Sequence, residues 1–361
     1  MDMYCAIIAG GGGTRLWPKS RRRLPKQLLT LQGDASLFQQ AAERVMPLCG
    51  AEQLLVVTSR DLAPVMRSLL PDVPDDQVIA EPMARNSALA IGLAAIIVER
   101  RQPDAVLATV GADHLIADVA GFRRCLEIGV KVADQGDYLV TIGVRPTTPH
   151  TGYGYIKVGK EALHVDDAPV FRVDSFKEKP DRETAQTYLD AGGYFWNTNY
   201  FVWRVSTLLR AFEQHAPDIY RGLRQIQEAL GSRDEANVAH RVFSEAPSAA
   251  IDTAILEKAA NLVVVPATFD WVDVGNWNDM YIVAEEDSGN HVVGDGDAPV
   301  LFEGSRGCLV HRANRLVALV GVDDLVVVDT EDAVLVLPRH RDQDVRRIVE
   351  RLREQGLEQY L

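Results

Sequence analysis

The sequence predicts an α/β fold: a mostly parallel sheet covered by helices on both faces, then a small β-rich module and a closing helix. Three observations carry that prediction. Short apolar runs alternate with helical patterns through the first half of the chain, in a βαβα rhythm. Three of these runs, "IIAGGGG", "VIAEP" and "VGADH", end in turns of the kind that collect ligands beyond the carboxyl ends of parallel strands. Near Gly289 the composition shifts to short β-rich pieces about ten residues apart.

Taken in order, "YCAIIAG" reads as a buried strand, "SLFQQAAERVMPL" as an amphipathic helix and "LLVVTS" as the next strand. "VIAEP" leads into the helical "RNSALAIGLAAIIVERR", and the strand "AVLATVGADH" follows. A helix from about Phe122 to Ala133 and the strand "YLVTIGV" complete the repeat. The middle departs from it: "TGYGYIKVG", "VFRVDSFKEKP" and "YFWNTNYFVWR" are extended segments broken by turns, with helices after Ser206 and Asp218. The tail pieces "GCLVH", "RLVALVG", "DLVVVD" and "AVLVLP" suggest a small all-β module, flat or coiled into a solenoid. In the last helix Val345, Ile348, Val349 and Leu352 mark one apolar face. The expected division is 1–288 and 289–361, with no low-complexity linker between them.

Of 361 residues, 47% are hydrophobic and 25% charged, the balance of a globular chain able to bury a full core. The net charge of −13 argues against a nucleic-acid partner or an anionic membrane surface. It also means that a polyphosphate can be held only where cations or a metal are concentrated. Cys5, Cys49, Cys125 and Cys308 are scattered, without the spacing of a zinc site or a disulfide framework. No apolar run approaches the ~20 residues of a membrane span. The chain opens on an apolar strand without a signal-type basic stretch, so a reduced, cytoplasmic protein is expected.

The loop Gly10, Gly11, Gly12, Gly13 follows the first strand but fits neither familiar phosphate fingerprint. A P-loop ends in Gly-Lys-Ser/Thr, and "TRL" stands here instead. A dinucleotide loop needs a third glycine where this chain has Arg15 or Leu16. What remains is a bare backbone that an anion can approach closely, with Arg15 and Lys26 beside it; if the reaction expels pyrophosphate, these cations would stabilise the charge growing on it. Pro25 fixes the backbone next to Lys26 and so aims that side chain. Lys19, Arg21, Arg22 and Arg23 read mainly as a solvated surface.

The stretch "AGGGGTRLWPKSRRRLPKQ" resembles the signature of sugar-1-phosphate nucleotidyltransferases, in particular the mannose-1-phosphate guanylyltransferase (GDP-mannose pyrophosphorylase) branch. The resemblance continues in order through "EPMARNSALAIG", "VGADH", "TGYGYIKVG", "FKEKP", "YFWNTNYFVW" and "DWVDVGNW", and into the tail. It implies a Rossmann-like mixed sheet flanked by helices, with a left-handed β-helix-like C-terminal module. It also implies GTP and mannose 1-phosphate as substrates, Mg2+ as cofactor and direct in-line attack. Some relatives carry a further isomerase domain; a single activity is expected here.

That resemblance assigns Asp113 and Asp273 to the metal, although either alone also reads as a turn or helix cap. His114 and Asp270 are neighbours with a structural reading at least as good. Glu81 is the candidate acceptor for guanine N–H groups, with Arg85 and Asn86 near base or ribose and Gly111 a further nucleotide-binding candidate; Asn86 reads also as a helix cap. Glu178 would meet sugar hydroxyls and Lys179 the sugar phosphate, and in an extended segment they point to opposite faces. Gly152 and Gly154 would admit the hexose or simply serve a hairpin. Asn197 is the remaining sugar candidate, in a segment where Thr198 and Asn199 replace the family's Ser-Gly. Asn tolerates a left-handed backbone, so the turn can survive that replacement. The aromatic residues around it read as core. A homodimer built at least partly through residues after 289 is expected, because the tail's apolar pieces need cover. The alternatives are another NTP or hexose or heptose 1-phosphate, or a non-catalytic sugar-nucleotide sensor.

Overall fold

The structure is a computed structural model and describes residues 3–11, 13–31, 33–294 and 296–361. It divides into two compact units. The first comprises Met1–Gly10, Ala41–Gly111 and Ile116–Trp271, and the second Gly11–Gln40, Ala112–Leu115 and Val272–Leu361. The composition change near 288 therefore does not coincide with this division. The second unit also takes in the glycine-rich loop and the short segment around Asp113.

The strands of the first half are β1 (Met3–Ala9), β2 (Leu54–Ser59), β3 (Val78–Glu81), β4 (Val106–Gly111), β5 (His114–Leu115) and β6 (Leu139–Val144). They continue as β7 (Tyr155–Val165), β8 (Ala168–Lys177), β9 (Tyr194–Arg204), β10 (Leu262–Pro266) and β11 (Val272–Asp273). In the first unit nine of them form one sheet in the order β3-β2-β1-β4-β9-β6-β10-β8-β7. The βαβα half is parallel as expected: β1 pairs in parallel with β2 and β4, and β2 with β3. The sheet as a whole is mixed, because β9 runs antiparallel between β4 and β6 and the β7–β8 hairpin adds the far edge. The hairpin turns at Asp166, whose φ of 52° suits an aspartate in a tight turn.

The expected helices form at Leu37–Cys49, Asn86–Arg101, Val119–Gln135, Val205–His215 and Pro217–Ala229. Both faces of the sheet are covered, and β9 shows why. Successive strand residues point to opposite sides: Trp203 joins the core formed with the helices Asn86–Arg101 and Val205–His215. Its neighbour Val202 instead meets Gly129 of Val119–Gln135, where an added Cβ would lie 2.9 Å from Val202 Cγ2. All four cysteines are free and buried. Among the described residues no helix is long and apolar enough to cross a membrane.

In the second unit the tail coils. Strands β13 (Asn290–Val293), β15 (Leu309–His311) and β17 (Leu325–Asp329) stack in parallel, flanked by β12 (Glu285–Asp287) and β18 (Val334–Pro338). The alternate strands β14 (Val300–Glu303) and β16 (Val317–Val320) pair in parallel as a separate two-stranded sheet. A chain that alternates between two parallel stacks is a solenoid, which resolves the choice between flat and coiled. Its interior holds Cys308, Val310 and Leu319 with Val300, Phe302 and Val317 packed against them. The other face of the longer sheet, with Leu309, Val326, Val328, Leu335 and Leu337, shares a core with Leu16, Trp17, Leu29, Leu31 and Trp277. The closing helix Val345–Glu354 adds Val345 and Val349 to that core, with Leu352 against it. Ile348, expected on the same face, is 37% exposed.

Candidate functional site

The second unit carries the phosphate-type residues. Gly10 ends the first unit's segment, Gly11 begins the second's with φ +105°, and a Cβ at either would meet nothing within 4 Å. Gly12 lies outside the described residues. Gly13 has φ +56°, and a Cβ there would sit 2.6 Å from Lys26 Cβ, so only glycine lets the lysine pack on the loop. Ser20 Oγ donates to Gly13 O at 2.6 Å and holds the turn closed. Pro25, with φ −68°, starts the short 3-10 turn Lys26–Leu28 and aims Lys26 inward.

Lys26 is 4% exposed, and its Nζ lies 2.5 Å from Asp273 Oδ1 and 2.9 Å from Asp113 Oδ2. The two aspartates are brought together by β5 and β11, whose antiparallel register sets Asp273 opposite His114. His114 Nε2 stands 3.6 Å from Asp113 Oδ1. Burial alone would push the Lys26 ammonium down, but the charges of Asp113 and Asp273 outweigh it and raise the group to about 12. Burial would likewise raise the Asp273 carboxyl; Lys26, then His114 and Arg15, overcome it and hold it well below the usual carboxylate range. Arg15, in the 3-10 turn Thr14–Leu16, donates from Nη1 to Gln343 Oε1 at 3.2 Å, and its Nη2 would be 3.4 Å from a Cβ on Gly275. Arg21, by contrast, is structural: it pairs with Asp332 at 2.6 Å and donates to Tyr360 O.

This donor set fits a hard divalent ion. It offers carboxylate oxygens that converge on one cation already. Among the described residues no group of three or more His, Cys, Asp or Glu side chains is gathered to hold a metal. Magnesium commonly takes only one or two carboxylates and completes its shell with water and phosphate oxygens, so two aspartates would be enough to hold it. Asp270 is not part of the set: its carboxylate accepts the Ala117 and Asp118 N–H groups within the first unit, at 3.0 and 2.9 Å.

The base- and sugar-type residues lie in the first unit. Glu81 ends β3 and is 8% exposed, and its buried Oε1 has no hydrogen-bond partner among the described residues. Burial raises its carboxyl to about 7. Arg85 is spent elsewhere, donating from Nε to Phe243 O and from Nη2 to Ser244 O. Asn86 has φ +65°, and its Oδ1 accepts the N–H of its neighbour Ser87 at 2.8 Å; the helix Asn86–Arg101 starts after Arg85 without a side-chain cap bond. Gly111 ends β4 opposite Ile8.

An orphaned buried carboxylate costs stability, which gives a first prediction. Its pKa is 4.5 when unfolded and about 7 when folded. The charged form is thus penalised only in the native state, and stability is lost as pH rises from 4.5 to 7. Glu81→Gln is expected to melt higher than the parent at pH 8, by up to about 3 kcal/mol, and alike at pH 4. Melting curves across that range decide it; a difference that does not change with pH would exclude a buried Glu81 carboxylate.

Of the residues expected at the sugar, Glu178 and Lys179 form an ion pair at 2.7 Å instead of pointing apart. The strand has ended at Lys177, and Lys179 sits at φ +45°, which turns its side chain back. Gly152 donates its N–H to His150 Nδ1 at 3.1 Å in the turn before β7. Gly154 is a close approach: a Cβ there would lie 2.7 Å from Glu178 Oε2, and its carbonyl accepts the Asn197 N–H at 2.8 Å. The expected turn is a left-handed residue inside a strand: Asn199 takes φ +60° within β9, where the pairing with β6 shifts register. The surrounding Phe195, Trp196 and Tyr200 are core, as expected. Asn197 itself donates from Nδ2 to Asp252 Oδ1 at 2.9 Å. Asp252 escaped the sequence reading, because an acidic residue opening the helical "IDTAIL" looks like an ordinary helix start.

Comparisons with known proteins agree with these features. Residues 5–289 match the Nucleotidyl transferase family, and residues 301–352 match the MannoseP isomerase/GMP-like beta-helix domain. A mannose-1-phosphate guanylyltransferase of Klebsiella pneumoniae is 37% identical over 98% of this chain and 74% of its own length. The alginate biosynthesis protein AlgA of Pseudomonas aeruginosa is 36% identical over 98% of this chain and 73% of its own. A crystal structure from Thermus thermophilus, described as a mannose-1-phosphate geranyltransferase, superposes with a TM-score of 0.87 at 32% identity, covering 98% of this chain and all of that one. The chain therefore belongs to the nucleotidyl transferase family, in the group that carries a GMP-like β-helix after the transferase domain.

Proposed function

We propose that this chain makes GDP-mannose and pyrophosphate from GTP and α-D-mannose 1-phosphate. The observation that carries the reading is the buried Lys26 held between Asp113 and Asp273 beside a glycine loop, in a chain of net charge −13. That is where an acidic protein concentrates what a triphosphate needs. The near-full-length identity to named guanylyltransferases supplies the base and the sugar.

The nucleophile is the phosphate of mannose 1-phosphate, whose second pKa of about 6 leaves it ionised at neutral pH. No general base is needed. The work of the protein is to bring two anions into line and offset their repulsion. Asp113 and Asp273 would hold magnesium, which supplies charge neutralisation at the phosphates when bound. Lys26 keeps those two carboxylates together, Arg15 meets charge growing on the departing pyrophosphate, and Lys179 takes the sugar phosphate. Glu81 accepts guanine N–H groups and so gains the partners that its buried oxygen lacks. A grid of NTPs and hexose 1-phosphates, assayed by pyrophosphate release, tests the reading. The highest kcat/KM is expected for GTP with mannose 1-phosphate; a preference for UTP or dTTP would sink it, and no turnover with any pair would favour the sensor alternative.

The same reading takes the protein as cytoplasmic, on the support of four free, buried cysteines, and as a homodimer. The support for a dimer is the tail's exposed apolar side chains, Leu301, Leu316, Val320, Val334 and Val336, each more than half exposed. Light scattering of the full chain is expected to give a dimer, and Val320→Lys with Val336→Lys to weaken it. A monomeric parent would remove this part of the proposal.

A further inference from the structure

We propose that Asp252 recognises the sugar ring of the hexose 1-phosphate, and that Asn197, the residue the motif points to, serves to position it. The inference rests on the nucleotidyltransferase reading and assigns a residue within its sugar site. Asn197 is 2% exposed and its amide is fully engaged. Nδ2 donates to Asp252 Oδ1 at 2.9 Å and to Asn199 Oδ1 at 3.0 Å. Oδ1 accepts the Thr141 hydroxyl at 2.8 Å and the Asn199 N–H at 3.4 Å. A carboxamide has two donor hydrogens and two lone pairs, and these four contacts use them all. Nothing of the Asn197 side chain is left for a ligand.

Asp252 is different. It opens the π-helical turn Asp252–Leu256 and is 5% exposed, and among the described residues its side chain is held by the Asn197 amide. A carboxyl group offers roughly four acceptor directions, and with the Asn197 amide and its own backbone N–H as donors it keeps capacity for a hydroxyl donor. It stands with the other sugar-type residues. Asn197 N–H bonds to Gly154 O, Gly154 leaves room for Glu178, and Glu178 and Lys179 both act electrostatically on Asp252. Burial, and then the charge of Glu178, raise the Asp252 carboxyl to about 7. Near neutral pH it can therefore accept from a hydroxyl or donate to one. Glu178 beside Gly154, and Asp252 joined to Gly154 through Asn197, are two carboxyl groups suited to the hydroxyls of a neutral polyol ring, and the phosphate falls to Lys179.

Calorimetric titration of mannose 1-phosphate, glucose 1-phosphate and GTP into the parent chain, Asp252→Asn, Asp252→Ser and Thr141→Val tests this. Both Asp252 variants are expected to lose at least tenfold in affinity for mannose 1-phosphate and to keep GTP affinity within twofold, which also reports that they fold. Thr141→Val loosens Asn197 but leaves the carboxyl, and is expected to cost less than threefold. Equal losses in Thr141→Val and the Asp252 variants would make Asp252 merely structural, and unchanged sugar affinity in a GTP-binding Asp252 variant would overturn the proposal. Should Asp252→Asn bind neither ligand, Asp252→Ser, whose hydroxyl can still take the Asn197 N–H, is judged by the same criterion; loss of both ligands in both variants also counts against recognition. A parent that binds glucose 1-phosphate and not mannose 1-phosphate would refute the substrate reading, and Asp252 is then judged on glucose 1-phosphate.

Discussion

Lys26→Met lowers turnover on the order of 100-fold or more and destabilises the chain by about 3 kcal/mol at neutral pH. The reason is what the lysine leaves behind: two carboxylates, Asp113 and Asp273, that now share a site without their cation. The loss depends on pH in a defined sense. Asp273 has an ordinary value of 3.8 and is held lower in the fold, so its pairing stabilises above pH 3.8 and is lost as pH falls below it. Lys26 rises from 10.5 to about 12, so its contribution is complete below pH 10.5 and disappears as pH rises through 12. The variant should therefore melt well below the parent from pH 5 to pH 10 and approach it under strong acid. Asp113→Asn and Asp273→Asn keep the shape of the site and lower kcat at least tenfold, roughly 1.4 kcal/mol of transition-state stabilisation. Calorimetric melts and pyrophosphate release measure both effects. Equal melting of Lys26→Met and parent at pH 7 would show that the pair contributes nothing to the fold.

Ending the chain at residue 288 abolishes turnover and prevents the second unit from folding. Leu16, Trp17, Leu29, Leu31 and Trp277 are buried against the solenoid's Leu309, Val326, Val328, Leu335 and Leu337 and the helix residues Val345 and Val349. Uncovering a large apolar side chain costs about 1.5 to 3 kcal/mol, and several are uncovered at once. The damage is not confined to packing. Trp17 Nε1 loses the Tyr360 carbonyl at 2.7 Å, Arg21 loses Asp332, and Arg15 loses Gln343. The truncated chain is expected to aggregate, or to show tryptophan fluorescence and circular dichroism unlike the parent's. A monodisperse product with parental spectra and turnover would show that the glycine loop folds without the tail. For the same reason the dimer question has to be put to the full chain with surface substitutions rather than to a truncation.

Much of the fold was legible. The parallel half is written in local pattern: "LLVVTS" is β2 to the residue, and the helix Asn86–Arg101 follows "VIAEP" as read. The solenoid showed as regularly spaced apolar pieces, because each coil repeats the same burial. Less legible was β9, whose placement between β4 and β6 depends on which strand edges are open once the others have paired, information that a local window does not hold. The closing helix is a smaller case. Ile348 shares the 3.6-residue period of Val345 and Val349, yet it stands 37% exposed while Val345, Val349 and Leu352 pack on the core.

By itself, the sequence determined the inventory: a bare glycine loop, two cations beside it, four acidic residues at strand ends and turns, and a run of motifs in the order of one family. Those are properties of residue type and local spacing, and they survive without coordinates. The tertiary structure decided who partners whom. It gave Lys26 to both Asp113 and Asp273 through the β5–β11 pairing, tied Glu178 to Lys179 through a left-handed turn, and spent Arg85 on backbone carbonyls. It also saturated Asn197 and left Asp252 with capacity to bind. The physical reason is that a hydrogen bond or ion pair forms within about 3 Å in space. Residues far apart along the chain reach that distance only when strand register and burial bring them there.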